Sequence, residues 1–161
     1  MTLASASAAL QPVEPAYRHV LRARAAIFWL PLFVGSLVLD RIFLADLPLA
    51  GLAPIIVGLI AVSGITVAPD RVYRRLGYSI DDRLLRVVHG WLFHTDTIVP
   101  FVRIQHIDVT RGPVDKLFGT ASLVVHTAGT HNSIVVLPGL APTRAADVRE
   151  TMRGSIRADA E

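Results

Sequence analysis

The sequence predicts an α+β membrane protein: a hairpin of two apolar helices, then a small bent sheet or barrel of short strands, closed by one amphipathic helix. Three observations predict it. Residues 47–68 form a run of 22 without a charged side chain. Charged residues make up only 18% of the chain, against about 25% in ordinary soluble domains. From Tyr73 onward the texture changes to short β-rich runs separated by turn residues, and the last of them gives way to a helical period.

A helix rises about 1.5 Å per residue, so the run 47–68 can cross a hydrocarbon layer of about 30 Å. Pro48 and Pro54 stand near its start, where missing N–H donors are easiest to tolerate. An earlier run covers residues 25–39 and resumes as Ile42-Phe43-Leu44 after Asp40-Arg41. Taken to Leu44 it too has the length of a span. Asp40 and Arg41 then fall near the far interface, where Arg reaches outward along its aliphatic stem. The alternative is a single span plus an interfacial helix. A cleaved signal peptide fits less well, since residues 1–17 carry no basic n-region and the apolar run starts late.

Flanking charge sets the expected topology. Arg18, Arg22 and Arg24 precede the first run, Arg71, Arg74 and Arg75 follow the second, and the connection holds Arg41 with Asp40 and Asp46. Arginine prefers the cytoplasmic side, so both flanks are expected inside and the connection outside. The reverse orientation would export both arginine clusters. The organisation expected is a cytoplasmic segment 1–24, a transmembrane hairpin 25–69 with spans at 25–44 and 47–68, and a cytoplasmic domain 70–161.

In that domain, residues 76–80 lead to Asp81-Asp82, acids that can bond their own backbone in a tight turn before the strand 84–89. Gly90 breaks that strand, and Trp91-Leu92-Phe93 begins the next. Residues 95–101 are β-branched and apolar around Ile98 and Val99, with Pro100 near the end. In 103–110 Ile104, His106 and Asp108 face one way and Gln105, Ile107 and Val109 the other, with Ile104 leaving the register uncertain. Gly112-Pro113 punctuates, and 114–119 is an irregular link or one helical turn. A strand 121–127, a hairpin loop over Ala128, Gly129, Thr130, His131 and Asn132, and a return strand 133–137 closed by Pro138-Gly139 follow. Pro142 or Thr143 then opens a helix in which Ala145, Ala146, Val148, Met152 and Ile156 recur at three- and four-residue steps.

Several function classes are poorly served. The chain has no cysteine, which removes disulfides, thiolate metal sites and cysteine nucleophiles. The net charge is +3, but the arginines are dispersed and Lys116 is the one lysine, so no basic patch announces nucleic acid. His89, His94, His106, His126 and His131 lack the close pairing typical of zinc sites, and half-buried or surface strand histidines are the better reading. Ser122 and Ser133 lie in strands without a nucleophile elbow, and no phosphate-binding glycine motif is present. Catalytic, metal and cofactor residues are therefore assigned to none.

The succession Tyr78-Ser79-Ile80 with Asp82, Gly90-Trp91-Leu92-Phe93, Ile98-Val99-Pro100, Arg103-Ile104-Gln105-His106-Ile107-Asp108-Val109, Gly112-Pro113 with Leu117-Phe118-Gly119, and Leu137-Pro138-Gly139-Leu140 resembles the bacterial pleckstrin-homology-like family. This is the bPH2 or DUF304 group of membrane proteins related to YdbS and YdbT. The resemblance runs over roughly residues 73–153, and two preceding spans match the family's layout. It implies a PH-like split β-barrel of two near-orthogonal sheets capped by the C-terminal helix. It does not imply a phosphoinositide ligand: Asp81 and Asp82 in the first hairpin would repel a polyphosphate, and fold likeness does not transfer a ligand.

Two sets of residues remain. Arg71, Arg74 and Arg75 are expected to contact the membrane surface, each gaining about 1 kcal/mol from anionic lipid. Arg103, Gln105 and Asp108 are candidates for a polar groove that binds a partner; the structural alternative has Arg103 paired with an acid and the other two bonded to nearby backbone. The expected protein is a non-catalytic interaction or scaffold module of the bacterial inner membrane, assembling with another membrane protein or with itself. The competing class is a lipid head-group-sensing or envelope-stress membrane protein.

Overall fold

Before any apolar run begins, the chain already belongs to the β domain. A two-residue strand, β1 (Gln11–Pro12), pairs antiparallel with β2 (Gly77–Asp81), Gln11 facing Tyr78 and Pro12 facing Gly77. The computed structural model describes residues 10–45, 47–81, 83–90, 94–128 and 134–158. Asp46, Asp82, the predicted strand start Trp91-Leu92-Phe93, and Gly129, Thr130, His131, Asn132 and Ser133 of the predicted hairpin lie outside those residues.

The two apolar helices are α1 (Tyr17–Leu39), which runs on through a π-helical turn over Asp40–Leu44, and α2 (Leu52–Arg74). Both are long and apolar enough to cross a membrane. Their ends differ from the expected spans at both sides of the hairpin. α1 starts at Tyr17 rather than at residue 25, where the Tyr17 and Arg18 amides find the Glu14 and Pro15 carbonyls. α2 starts at Leu52 rather than at residue 47, because residues 47–50 are taken up by turns and Gly51 adopts φ +87°, a left-handed conformation that suits glycine. At the other end α2 continues past Ala68 to Arg74, so helix rather than loop carries the chain into the domain. Asp40 turns inward: it is buried, and its carboxylate accepts the Gly51 N–H at 2.9 and 3.0 Å, which closes the hairpin connection. Two glycines let the helices pack closely. A Cβ on Gly58 would stand 3.1 Å from the Phe33 ring, and one on Gly64 only 2.5 Å from the Trp29 indole nitrogen.

The β domain has two antiparallel sheets. The first orders β1-β2-β3-β4, with β3 (Leu84–His89) and β4 (Thr95–Pro100); the second orders β5-β6-β7, with β5 (Ile104–Thr110), β6 (Ala121–Thr127) and β7 (Ile134–Leu140). A short α3 (Pro113–Leu117) links β5 to β6, deciding for the helical turn, and α4 (Pro142–Ala158) closes the domain. Ala145, Val148 and Met152 of α4 are buried, as their spacing predicts. Two strand ends depart from expectation. Arg103 lies in a 3₁₀ turn (Phe101–Arg103), ahead of β5. β7 does not stop at Leu137 but passes through Pro138-Gly139 to Leu140, because Gly139 at φ +75° lets the strand absorb an extra residue between the Leu123–Leu137 and Ala121–Leu140 pairs.

Leu85 and Val87 of the first sheet, Leu123, Val125 and Leu137 of the second, Phe101 and Met152 share one core. Val13, Tyr17 and Val20 belong to the same core, with Val20 fully buried. The first turn of the leading helix is thus a structural part of the β domain. Burial of each such side chain is worth about 1.5–3 kcal/mol.

On the outer surface of the first sheet, Arg86 of β3 donates from Nε to Asp96 of β4 at 2.9 and 3.0 Å. These hydrogen bonds hold the Asp96 carboxyl below the usual carboxylate range. A depressed folded-state value means that this contribution is present above the ordinary aspartate range and is lost as pH falls through the lower, folded midpoint. Arg86→Gln is expected to raise the Asp96 midpoint read from carboxyl carbon shifts; an unmoved midpoint refutes the assignment.

Candidate functional site at the helix–domain junction

The arginines ahead of the first span are engaged with protein. Arg22 donates to Asp70 of α2 at 3.0 and 3.2 Å, and Arg18 lies 3.4 Å from the same carboxylate. The Arg18 guanidinium also sits 4.8 Å from the centroid of the Tyr73 ring, whose hydroxyl donates to the Val13 carbonyl at 3.2 Å. One acid on α2 therefore gathers two arginines of α1, pinning the helices where they leave the apolar zone.

Arg24 reaches the β domain instead. Its Nη2 donates to Asp115 of α3 at 2.8 Å. Asp115 is buried, and it also accepts the Gly112 N–H at 3.1 Å and the Thr120 hydroxyl at 3.2 Å. The Gly112-Pro113 pair supplies the start of α3 and Asp115 caps it from the third helical position. Beside this contact His19 stacks on Phe118, with ring centroids 6.0 Å apart. The hairpin and the domain thus meet through one buried carboxylate, one aromatic pair and the Tyr17–Val20 turn.

Arg71, Arg74 and Arg75 occupy the last turn of α2 and its cap, and all three are exposed. With Asp70 taken by Arg18 and Arg22, the side chains of Arg71 and Arg74 make no ion pair among the described residues.

Arg103, Gln105 and Asp108 are placed on three different local structures. Arg103 is exposed in the 3₁₀ turn, and its carbonyl accepts the Ala128 N–H at 2.8 Å. Gln105 is the extra residue of a β-bulge between the Ile104–Thr127 and His106–His126 pairs, the irregularity that the alternation hinted at. Asp108 lies on the outer face of β5 beside two histidines: His106 Nε2 at 3.0 Å and His126 Nε2 at 3.5 Å. Among the described residues its side chain meets these two histidines rather than Arg103 or Gln105.

Two functional features escaped the sequence. Asp115 reads as a turn residue until the fold brings Arg24 to it. Val13, Tyr17 and Val20 fall four and three residues apart ahead of the span, an apolar spacing that could have been read as core, although only Tyr17 and Val20 lie on the helix.

The family model of the bacterial PH domain matches residues 25–156. The chain is similar to the transmembrane protein YdbS of Bacillus subtilis (strain 168), at 35% identity over 60 residues, 37% of this chain and 38% of that relative. The matched stretch thus spans well under two thirds of the relative's own length. No solved structure matches.

Proposed function

The chain belongs to the bacterial PH domain family and is a membrane protein, and from that premise we propose that it is a non-catalytic interaction module of the bacterial inner membrane, holding its β domain against the cytoplasmic face and assembling there with another membrane protein or a second copy of itself. The observation that carries this reading is the outer side of β7. It is an edge strand, and Ile134 and Val136 point outward from it with 55% and 44% of their surface exposed. Beyond Gly139, whose carbonyl takes the Glu14 N–H, this edge pairs with no further strand among the described residues, and an open edge with apolar side chains is suited to take a partner's strand.

The two-pass topology has its own support. β1 and β2 lie on opposite sides of the hairpin in sequence yet pair with one another, which supports a reading with both flanks on one side of the bilayer. The arginines at those flanks favour the cytoplasm.

The chain has no cysteine, so single-cysteine variants report cleanly. In full-length protein extracted with mild detergent, Val136→Cys is expected to crosslink to a stoichiometric protein partner or to itself, while Thr110→Cys does not. Absence of both a stoichiometric partner and a Val136→Cys crosslink, with the intact chain binding vesicles through head groups instead, moves the function to the lipid-sensing class. Replacing Arg71, Arg74 and Arg75 with Glu is expected to disturb the orientation; correct insertion of that variant, read by cysteine accessibility, removes these arginines from topology.

A further inference from the structure

We propose that one face of α2 and the adjoining end of the first sheet form a binding site for a single anionic phospholipid, with the acyl chain along the helix and the phosphate between Arg71 and Arg74. The inference rests on the hairpin spanning the bilayer. Two cavities carry it, one along α2 as far as Arg71 and one beginning at Arg74, the next turn of the helix.

The first, of about 580 Å³, runs beside Trp29 and along Ile60, Ser63, Gly64 and Val67 of α2, and Arg71 stands at its end. It is apolar for most of its length. Gly64 lines it where the Trp29 indole packs directly on the α2 backbone, so that Trp29 forms one wall of the groove. From Leu59 to Arg71 the helix rises about 18 Å, comparable with the hydrocarbon depth of one leaflet, about 15 Å. A groove of that length and polarity fits an acyl chain.

The second cavity, of about 410 Å³, is lined by Arg74, Arg75 and His94, with Leu10, Pro12 and Leu76 behind them. It lies beyond the C-terminal end of the first cavity, at the depth expected for head groups. Arg71 lines the first cavity and Arg74 the second, and the two are one helical turn apart, so they project from the same side of α2. Neither guanidinium is neutralised by an acid among the described residues, because Asp70 on the same turn is held by Arg18 and Arg22. Guanidinium groups bind phosphate oxygens in bidentate fashion, which selects a phosphate ester at this position. An apolar groove ending at Arg71 and Arg74, which meet no acid among the described residues, describes a phospholipid with net negative charge.

The test uses the full chain in nanodiscs of phosphatidylcholine containing a minor fraction of phosphatidylglycerol, followed by native mass spectrometry of the lipid retained after gentle detergent transfer. The wild type is expected to retain one phosphatidylglycerol in preference to phosphatidylcholine by about tenfold or more. Arg71→Gln with Arg74→Gln is expected to abolish the preference. Val67→Trp, which fills the groove and leaves the charges in place, is expected to lower retention of the lipid, and excess inorganic phosphate is not. Equal retention of both lipids by the wild type, or an unchanged preference in the double variant, overturns the proposal. Displacement by inorganic phosphate with no effect of Val67→Trp reduces the site to a phosphate site and also overturns it. A chain that fails to span is distinguished beforehand, because carbonate then extracts it from the membrane.

Discussion

Replacing Asp115 with Ala is expected to lower the unfolding free energy of the chain by about 3–5 kcal/mol. The side chain is 4% exposed and serves three donors from three places: the Gly112 N–H, the Thr120 hydroxyl and the Arg24 guanidinium. Removing it leaves the buried Thr120 hydroxyl without this acceptor, at about 1–3 kcal/mol, takes the half-buried Gly112 N–H from its partner at a lower cost, and breaks a charge-assisted bond. Arg24→Gln is expected to cost less, because the Arg24 side chain is 48% exposed and the carboxylate keeps its other two donors. Asp115→Asn is expected to fall between them, since one amide oxygen can still accept. The order Ala, then Asn, then Arg24→Gln, read by thermal unfolding in detergent, is the discriminating result. A loss below about 0.5 kcal/mol for Asp115→Ala, the range of an ordinary surface change, would show that the helix–domain junction does not depend on this residue.

The second large effect is expected at Gly139. Its φ of +75° disfavours any side chain, and an added Cβ would lie 2.5 Å from Cγ of the Tyr17 ring. Gly139→Ala is expected to cost about 2–4 kcal/mol, part from the left-handed backbone and part from overpacking against the ring. Tyr17→Ala, which empties a buried aromatic site, is expected to cost about 3–5 kcal/mol. The two must couple. In a Tyr17→Ala background the steric part vanishes, so Gly139→Ala should then cost only the backbone part, about 1–2 kcal/mol. Strict additivity in this double-mutant cycle would mean that the ring does not rest on Gly139. The same glycine accepts the Glu14 N–H on its carbonyl at 2.8 Å, so the leading segment is held there by backbone as well as by packing.

Much of this architecture is legible in the residues because it rests on local causes. The apolar runs, the strands marked off by Gly, Pro and Asp, and the three-and-four spacing of Ala145, Val148 and Met152 each depend on near neighbours. What escapes depends on distant ones. A strand of two residues, Gln11–Pro12, has no alternation to show, and its partners Tyr78 and Gly77 lie beyond both spans. Asp40 and Asp115 are ordinary loop acids until the fold buries them against Gly51 and Arg24. The glycine-based bulge in β7 is hidden for another reason: Pro138-Gly139 is as good a strand terminator as it is a bulge, and only the pairing of Ala121 with Leu140 decides. The candidate partner strand is the plainest case. Arg103, Gln105 and Asp108 are close in sequence, but a turn, a bulge and a histidine pair send them to different surroundings.

The pairing of Gln11–Pro12 with β2 also has a consequence for biogenesis. The first strand leaves the ribosome long before its partner exists, and on the proposed topology two helices enter the bilayer and return in the interval. Tyr17 waits longer still, for Gly139. If one helix were skipped by the insertion machinery, the leading segment and the sheet would be stranded on opposite sides, and Val13, Tyr17 and Val20 could never reach the core. On the proposed two-pass topology, completion of the β domain thus depends on both helices having inserted, because residues on either side of the hairpin share one sheet and one core.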